Sequence, residues 1–136
     1  MTRTLILALS FAVSIATVGS AQAPAASAEK EAGLAAVYTD ALNGHVTASG
    51  QVYDPTKLTA AHKTLPYGTK IRVTNTKNNK TVVLRINDRG PKQAARVLDI
   101  SPAAAAQLGI DRRVMREVTV EVIEVGSGKT TRQAAR

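Results

Sequence analysis

Cysteine and tryptophan are both absent from this 136-residue chain, and aromatic residues make up only 3% of it. Without cysteine there is no disulfide framework and no N-terminal thiol to carry a lipid, so stability has to come from a packed core. So few aromatics leave no stacking cluster of the kind that nucleic-acid modules use. Acids are scarce as well: 10 Asp and Glu stand against 18 Lys and Arg, a formal net charge of +8. Such an excess suits a polyanion, and for an exported protein the nearest polyanions are the cell wall and the membrane surface; the bland reading is that it only keeps a small protein soluble.

Long apolar runs are missing with one exception. Leu5 to Val18 is almost uninterruptedly apolar, follows the basic start Met1-Thr2-Arg3 and precedes the small residues Ala21-Gln22-Ala23. That is the form of a secretory signal peptide, and the run is too short for a comfortable membrane span. Cleavage is expected after Ala23, or after Ala28 at a second A-x-A site, leaving a soluble periplasmic or secreted protein with no stable membrane anchor. Residues 24–32 read as a flexible leader, 33–125 as one domain and 126–136 as a disordered basic tail.

Within that domain the punctuation is dense. Leu34 to Tyr38 fits a first strand, and Thr39 to Pro55 is polar and turn-rich. Ile71 and Val73 alternate with Arg72 and Thr74, predicting a half-buried strand from Thr69 to Asn75. A turn at Lys77-Asn78-Asn79, where Asn tolerates positive φ, returns the chain into a second strand from Thr81 to Ile86. Arg96 to Ile100 is another short strand. Ser101 is a natural N-cap with Pro102 at the first helical position, and Gly109 stops the helix after Leu108. Val118, Val120 and Val122 then alternate in a final strand. Several short strands with one small helix predict an all-β, compact barrel.

The chemistry concentrates in Asn87-Asp88-Arg89-Gly90-Pro91. An apolar strand leads into an acid, and Gly-Pro turns the backbone after it. This is either a strand delivering a carboxylate to a groove or an Asx-type turn with Asp88 and Arg89 as a solvated pair. No set of His, Asp and Glu has metal-ligand spacing, so neither a metal nor any other cofactor is expected.

Five stretches then fall in a familiar order: Thr47-Ala48-Ser49-Gly50-Gln51-Val52-Tyr53-Asp54, Leu58-Thr59-Ala60-Ala61-His62-Lys63-Thr64-Leu65-Pro66, Val73-Thr74-Asn75, Asn87-Asp88-Arg89-Gly90-Pro91 and Val97-Leu98-Asp99-Ile100-Ser101. Together they resemble the rare lipoprotein A family, from about Gly33 to Val125. The resemblance implies a six-stranded double-psi β-barrel, shared with expansins and small endoglucanases, with one or two short helices. It also implies a septal or endolytic lytic transglycosylase, a lyase that cleaves peptidoglycan glycan strands poor in stem peptides and leaves 1,6-anhydromuramoyl ends. The alternative on the same fold is a non-catalytic, expansin-like glycan-binding or wall-loosening module. The expected partner is the glycan strand, with no nucleic acid, and the protein is expected to be a monomer. Two departures stand out: there is no N-terminal cysteine or C-terminal peptidoglycan-binding repeat domain, and Gln51 occupies a position where studied members usually carry Glu.

Carried onto this chain, the resemblance makes Asp88 the catalytic acid and later base. His62 is its catalytic companion, orienting Asp88 or holding a sugar hydroxyl. Taken alone, a single His is more often packed or on the surface. Asp99 matches the acid of expansins and endoglucanases; its other reading is local, accepting hydrogen bonds from the start of the following helix. Gln51, Asp99, Tyr38, Tyr53 and Arg89 are the candidate substrate-binding residues, with Arg89 expected to point away from Asp88, toward a structural carboxylate. A lone Tyr beside a strand, however, is more often core.

Overall fold

The computed structural model describes residues 29–130. The expected signal peptide, most of the leader and the tail beyond Thr130 lie outside the described residues. Six strands close into a barrel: β1 (Glu31–Val37), β2 (Thr59–Ala61), β3 (Lys70–Asn75), β4 (Thr81–Asp88), β5 (Arg96–Ile100) and β6 (Arg116–Glu124). Around the barrel their order is β1-β5-β2-β4-β3-β6, with β6 returning to β1. An α-helix, α1 (Pro102–Leu108), and a single 3-10 turn (Asp40–Leu42) complete the described elements.

The topology is a double-psi barrel. In each half an earlier strand is inserted between two consecutive later ones: β2 lies between β4 and β5, and β1 between β5 and β6. The inserted strands supply the parallel pairings, β1 with β5 and β2 with β4, while the other pairings are antiparallel.

Alternation accounts for the longer strands. Ile71, Val73, Val82, Leu84 and Ile86 point inward from β3 and β4 and join Leu98, Ile100, Val118 and Val120 in one core, which α1 closes with Leu108. Each fully buried Leu, Ile or Val contributes about 1.5–3 kcal/mol. The β3–β4 hairpin turns through Asn79 at φ 60°. The amide groups of Asn75 and Asn78 both donate to the Leu108 carbonyl at 3.0 Å, so the turn also caps the end of α1. At the other end of that helix Ser101 Oγ accepts the Ala104 N–H at 3.3 Å, and Gly109 adopts φ 66° after the last turn.

Two expectations are corrected, and one strand is added. First, the barrel begins before Gly33: Glu31 and Ala32 already pair with Val120 and Thr119. Gly33 sits inside the strand because a Cβ there would lie 2.4 Å from Val97 Cγ1. Second, the start of the expected tail is bound to the barrel, with Gly126 N–H donating to Thr69 Oγ1 and Gly128 N–H to the Tyr67 carbonyl, both at 3.0 Å. The three-residue strand β2 was not foreseen, although it is what brings the two acids together.

Candidate active site

Asp88 is the last residue of β4, and its placement depends on a β-bulge. Along β2, Ala60 pairs with Ile86 but Ala61 pairs with Asp88, so Asn87 is the extra residue. Strict alternation would send Asp88 inward behind Val82, Leu84 and Ile86; the bulge shifts the phase and releases it from the core. Ala61 is also opposite Asp99 on β5. The two acids therefore share one rung of the barrel, on either side of an alanine, with backbones roughly 10 Å apart.

A narrow finger, residues 44–53, folds onto this rung. It is closed by Gly44 N–H to the Tyr53 carbonyl (3.1 Å), Tyr53 N–H to the His45 carbonyl (2.7 Å) and Thr47 N–H to the Gln51 carbonyl (2.8 Å). Gly50 turns its tip at φ 87°. The tip grips the bulge through Ser49 N–H to the Asn87 carbonyl (3.3 Å) and Ala48 N–H to Asp88 Oδ1 (3.0 Å). Asp88 Oδ1 also accepts from its neighbour's backbone, Arg89 N–H, at 2.8 Å, while Oδ2 accepts the Tyr38 hydroxyl at 2.7 Å. All three donors are neutral, and no cation pairs with Asp88 among the described residues. Asp99 differs: its Oδ1 forms an ion pair with Arg96, and its Oδ2 stands 3.9 Å from where a Cβ on Gly90 would be. The start of the following helix is capped by Ser101, not by Asp99.

Tyr38 and Tyr53 are 9% and 3% exposed, with ring centroids 4.9 Å apart and planes tilted by 53°. They pack on each other and on Ala61, and together with Asp88 they line a small recess. Burial, reinforced by the bond to Asp88, holds the Tyr38 phenol far above its ordinary range, so it remains a donor. Burial likewise pushes Tyr53 up to about 12. Its hydroxyl has no hydrogen-bond partner among the described residues.

His62 is 5% exposed and does not orient Asp88. Its Nδ1 accepts the backbone N–H groups of Thr64 (3.1 Å) and Leu65 (3.0 Å), and its Nε2 lies 2.8 Å from Glu31 Oε2. An Nδ1 that accepts two N–H groups carries no proton, so Nε2 donates to Glu31. Only the backbones connect the two candidates, His62 N–H donating to the Asp88 carbonyl at 3.3 Å. Glu31 went unnoticed in the sequence because it fell in the expected leader. Arg89 turns its guanidinium to the His62 carbonyl (3.0 Å) and over the Tyr67 ring (4.2 Å), rather than to a carboxylate. Gln51 lines an open groove with Arg85 and Asn87. No group of three or more His, Asp or Glu side chains is set to hold a metal among the described residues.

Residues 30–126 match the lytic transglycolase family. The chain belongs to that family. A probable endolytic peptidoglycan transglycosylase RlpA of Synechocystis is 40% identical over 119 residues, covering 88% of this chain and 37% of the relative. The endolytic peptidoglycan transglycosylase RlpA of Vibrio cholerae is 45% identical over 95 residues, covering 70% and 36%. The chain thus spans little more than a third of the length of these relatives. Among solved structures, a Clavibacter michiganensis expansin superposes with TM-score 0.55 at 17% identity, over 73% of this chain and 52% of that one. A Streptomyces papain inhibitor gives 0.54 at 22%, over 71% and 96%. At these identities the likeness is one of fold, the closed six-stranded barrel.

Proposed function

We propose that this member of the lytic transglycolase family is an exported endolytic transglycosylase of peptidoglycan glycan strands, acting outside the cytoplasm after removal of residues 1–23. The observation that carries the assignment of the acid is the contrast on the shared rung. Asp88 is held by a phenol and two backbone N–H groups, whereas Asp99 is tied to Arg96. A carboxyl with only neutral partners can take up and release a proton without breaking an ion pair.

The reaction needs one such group. Asp88 protonates the glycosidic oxygen as the C1–O bond breaks; the muramic acid 6-hydroxyl then closes on C1 and returns its proton to Asp88, leaving a 1,6-anhydro ring. No water is consumed, so the paired carboxylates of ordinary glycosidases are not required. Tyr38 is a positioning residue that fixes Asp88 Oδ2, the oxygen available for transfer. The relatives' names support an enzyme over a wall-loosening module, because the expansin likeness extends to fold alone.

Incubating the protein with purified sacculi and with peptide-stripped glycan strands, and weighing the products, tests this reading. Anhydromuramoyl ends are expected from the stripped strands. Strands that are bound but uncut would favour the expansin-like module.

A further inference from the structure

Across the bulge from the Asp88 carboxylate lies a groove of about 570 Å³. Its wall carries Gln51, Asp54, Lys57, Thr59, Arg85 and Asn87, and an adjoining recess shares Gln51, Arg85 and Asn87 and adds Lys129. Three of these side chains are cationic and one is acidic. The acid is occupied locally: Asp54 Oδ1 accepts the Thr56 hydroxyl at 2.6 Å and its N–H at 2.9 Å. These bonds, the hydroxyl first, hold the Asp54 carboxyl below its usual range.

Arg85 has no such outlet. It stands on the outer face of β4 directly opposite Lys70 of β3, a like-charge pair that disfavours the sheet. Lys70 and Arg72 face Glu124 and Glu121 at 3.4 and 3.6 Å. The Arg85 side chain makes no ion pair or hydrogen bond among the described residues, and its guanidinium lies over Gly68, 3.7 Å from where a Cβ would be. The residue at 51 that shares its groove is a neutral amide. Beside it in the groove wall Asn87 is 4% exposed, and neither its Oδ1 nor the buried Thr59 Oγ1 has a partner among the described residues.

We propose that this groove binds a sugar bearing a free carboxylate, with Arg85 reading the charge. A guanidinium matches a carboxylate with two parallel hydrogen bonds, and Lys57 and Lys129 raise the local potential without competing for that geometry. The inference rests on the proposed function for the identity of the sugar. In a peptidoglycan strand the matching group is the lactyl carboxylate of muramic acid, which is charged only where no stem peptide is amide-linked to it. Arg85 is then the residue through which the site distinguishes stripped strands from peptide-bearing ones.

Binding decides this independently of cleavage. The N-acetylglucosaminyl-N-acetylmuramic acid disaccharide and the same disaccharide with its lactyl carboxylate converted to the methylamide are titrated into the full chain. Titrations into Arg85→Gln and into Lys77→Gln, a net-charge control at the far end of the β3–β4 hairpin, run in parallel. The free acid should bind wild type and Lys77→Gln about tenfold more tightly than the amide, the equivalent of one charge-assisted hydrogen bond. Arg85→Gln should bind both forms equally, at the affinity of the amide. Equal binding of the two forms by wild type, discrimination retained in Arg85→Gln, or displacement of the disaccharide by inorganic phosphate at the same concentration would overturn the proposal. Discrimination without any cleavage would leave the groove assignment standing and remove the enzymatic reading; cleavage without discrimination would do the reverse.

Discussion

The Tyr38 hydroxyl lies 2.7 Å from Asp88 Oδ2, joining two residues fifty positions apart at the mouth of the barrel. Tyr38 follows β1, Asp88 ends β4, and β5 and β2 lie between these strands. The contact therefore exists only when the barrel is closed, which makes the geometry of the acid a direct product of the fold.

Replacing Tyr38 by Phe removes one donor and leaves the ring in place. The expected loss in kcat is roughly 10–100-fold, the scale of a misplaced reacting group, with KM unchanged. Steady-state kinetics on peptide-stripped glycan strands measures the split; a rise in KM at constant kcat would make Tyr38 a substrate contact instead.

Tyr53→Phe should behave in the opposite way. The Tyr53 hydroxyl is buried without a partner among the described residues, so deleting it is expected to be neutral or to stabilise the fold by up to about 1 kcal/mol at pH 7. The advantage of the variant should widen in alkali. The folded phenol titrates at about 12 against an ordinary 10.0, so above pH 10 the unfolded chain releases this proton while the folded one keeps it. Wild-type stability therefore falls as pH rises from 10 toward 12. Denaturant melts of both proteins at pH 8 and pH 11 test the sign.

His62 is predicted to act on stability. His62→Ala deletes an acceptor for two backbone N–H groups and empties a buried site, at an expected cost of about 2–4 kcal/mol. Glu31→Gln, which keeps an acceptor for Nε2, should melt close to wild type. Thermal denaturation of the two variants separates this role from a chemical one; a His62→Ala protein that melts like wild type yet makes no product would restore His62 to the chemistry.

Local patterns were the legible part of this chain. The β3–β4 hairpin and the capped helix follow from alternation, Asn79, Ser101, Pro102 and Gly109, all cues within a few residues of what they specify. β2 was not legible, because Thr59-Ala60-Ala61 is too short to show a period and owes its extended form to β4 and β5 on either side. The bulge at Asn87 was hidden for a similar reason: it is a mismatch in count between two strands, visible only once Ala61 is known to face Asp88. Of the candidate residues, Asp88 was pointed to by the strand ahead of it and by family resemblance. Its partner Tyr38, the Glu31 that holds His62, and the unpaired Arg85 all depend on contacts across the barrel.

Gln51 tests how the groove and the acid communicate. A carboxylate at this position would share the groove wall with Arg85, and among the described residues the Asp88 carboxylate is held by Tyr38, Ala48 and Arg89 and not by residue 51. Gln51→Glu is therefore expected to leave the pH–rate profile in place and to weaken binding of the free-acid disaccharide. A rise in rate near neutral pH would show instead that a charge at 51 acts on Asp88.

The most direct test of the acid assignment compares Asp88→Asn with Asp99→Asn on peptide-stripped glycan strands, counting anhydromuramoyl ends by mass after circular dichroism has shown that both variants are folded. Asp88→Asn is expected to lose on the order of 10²–10⁴-fold in product formation, the usual contribution of a general acid or base, and Asp99→Asn to retain activity. An inactive Asp99→Asn beside a nearly normal Asp88→Asn would contradict the account and move the acid to the other side of Ala61.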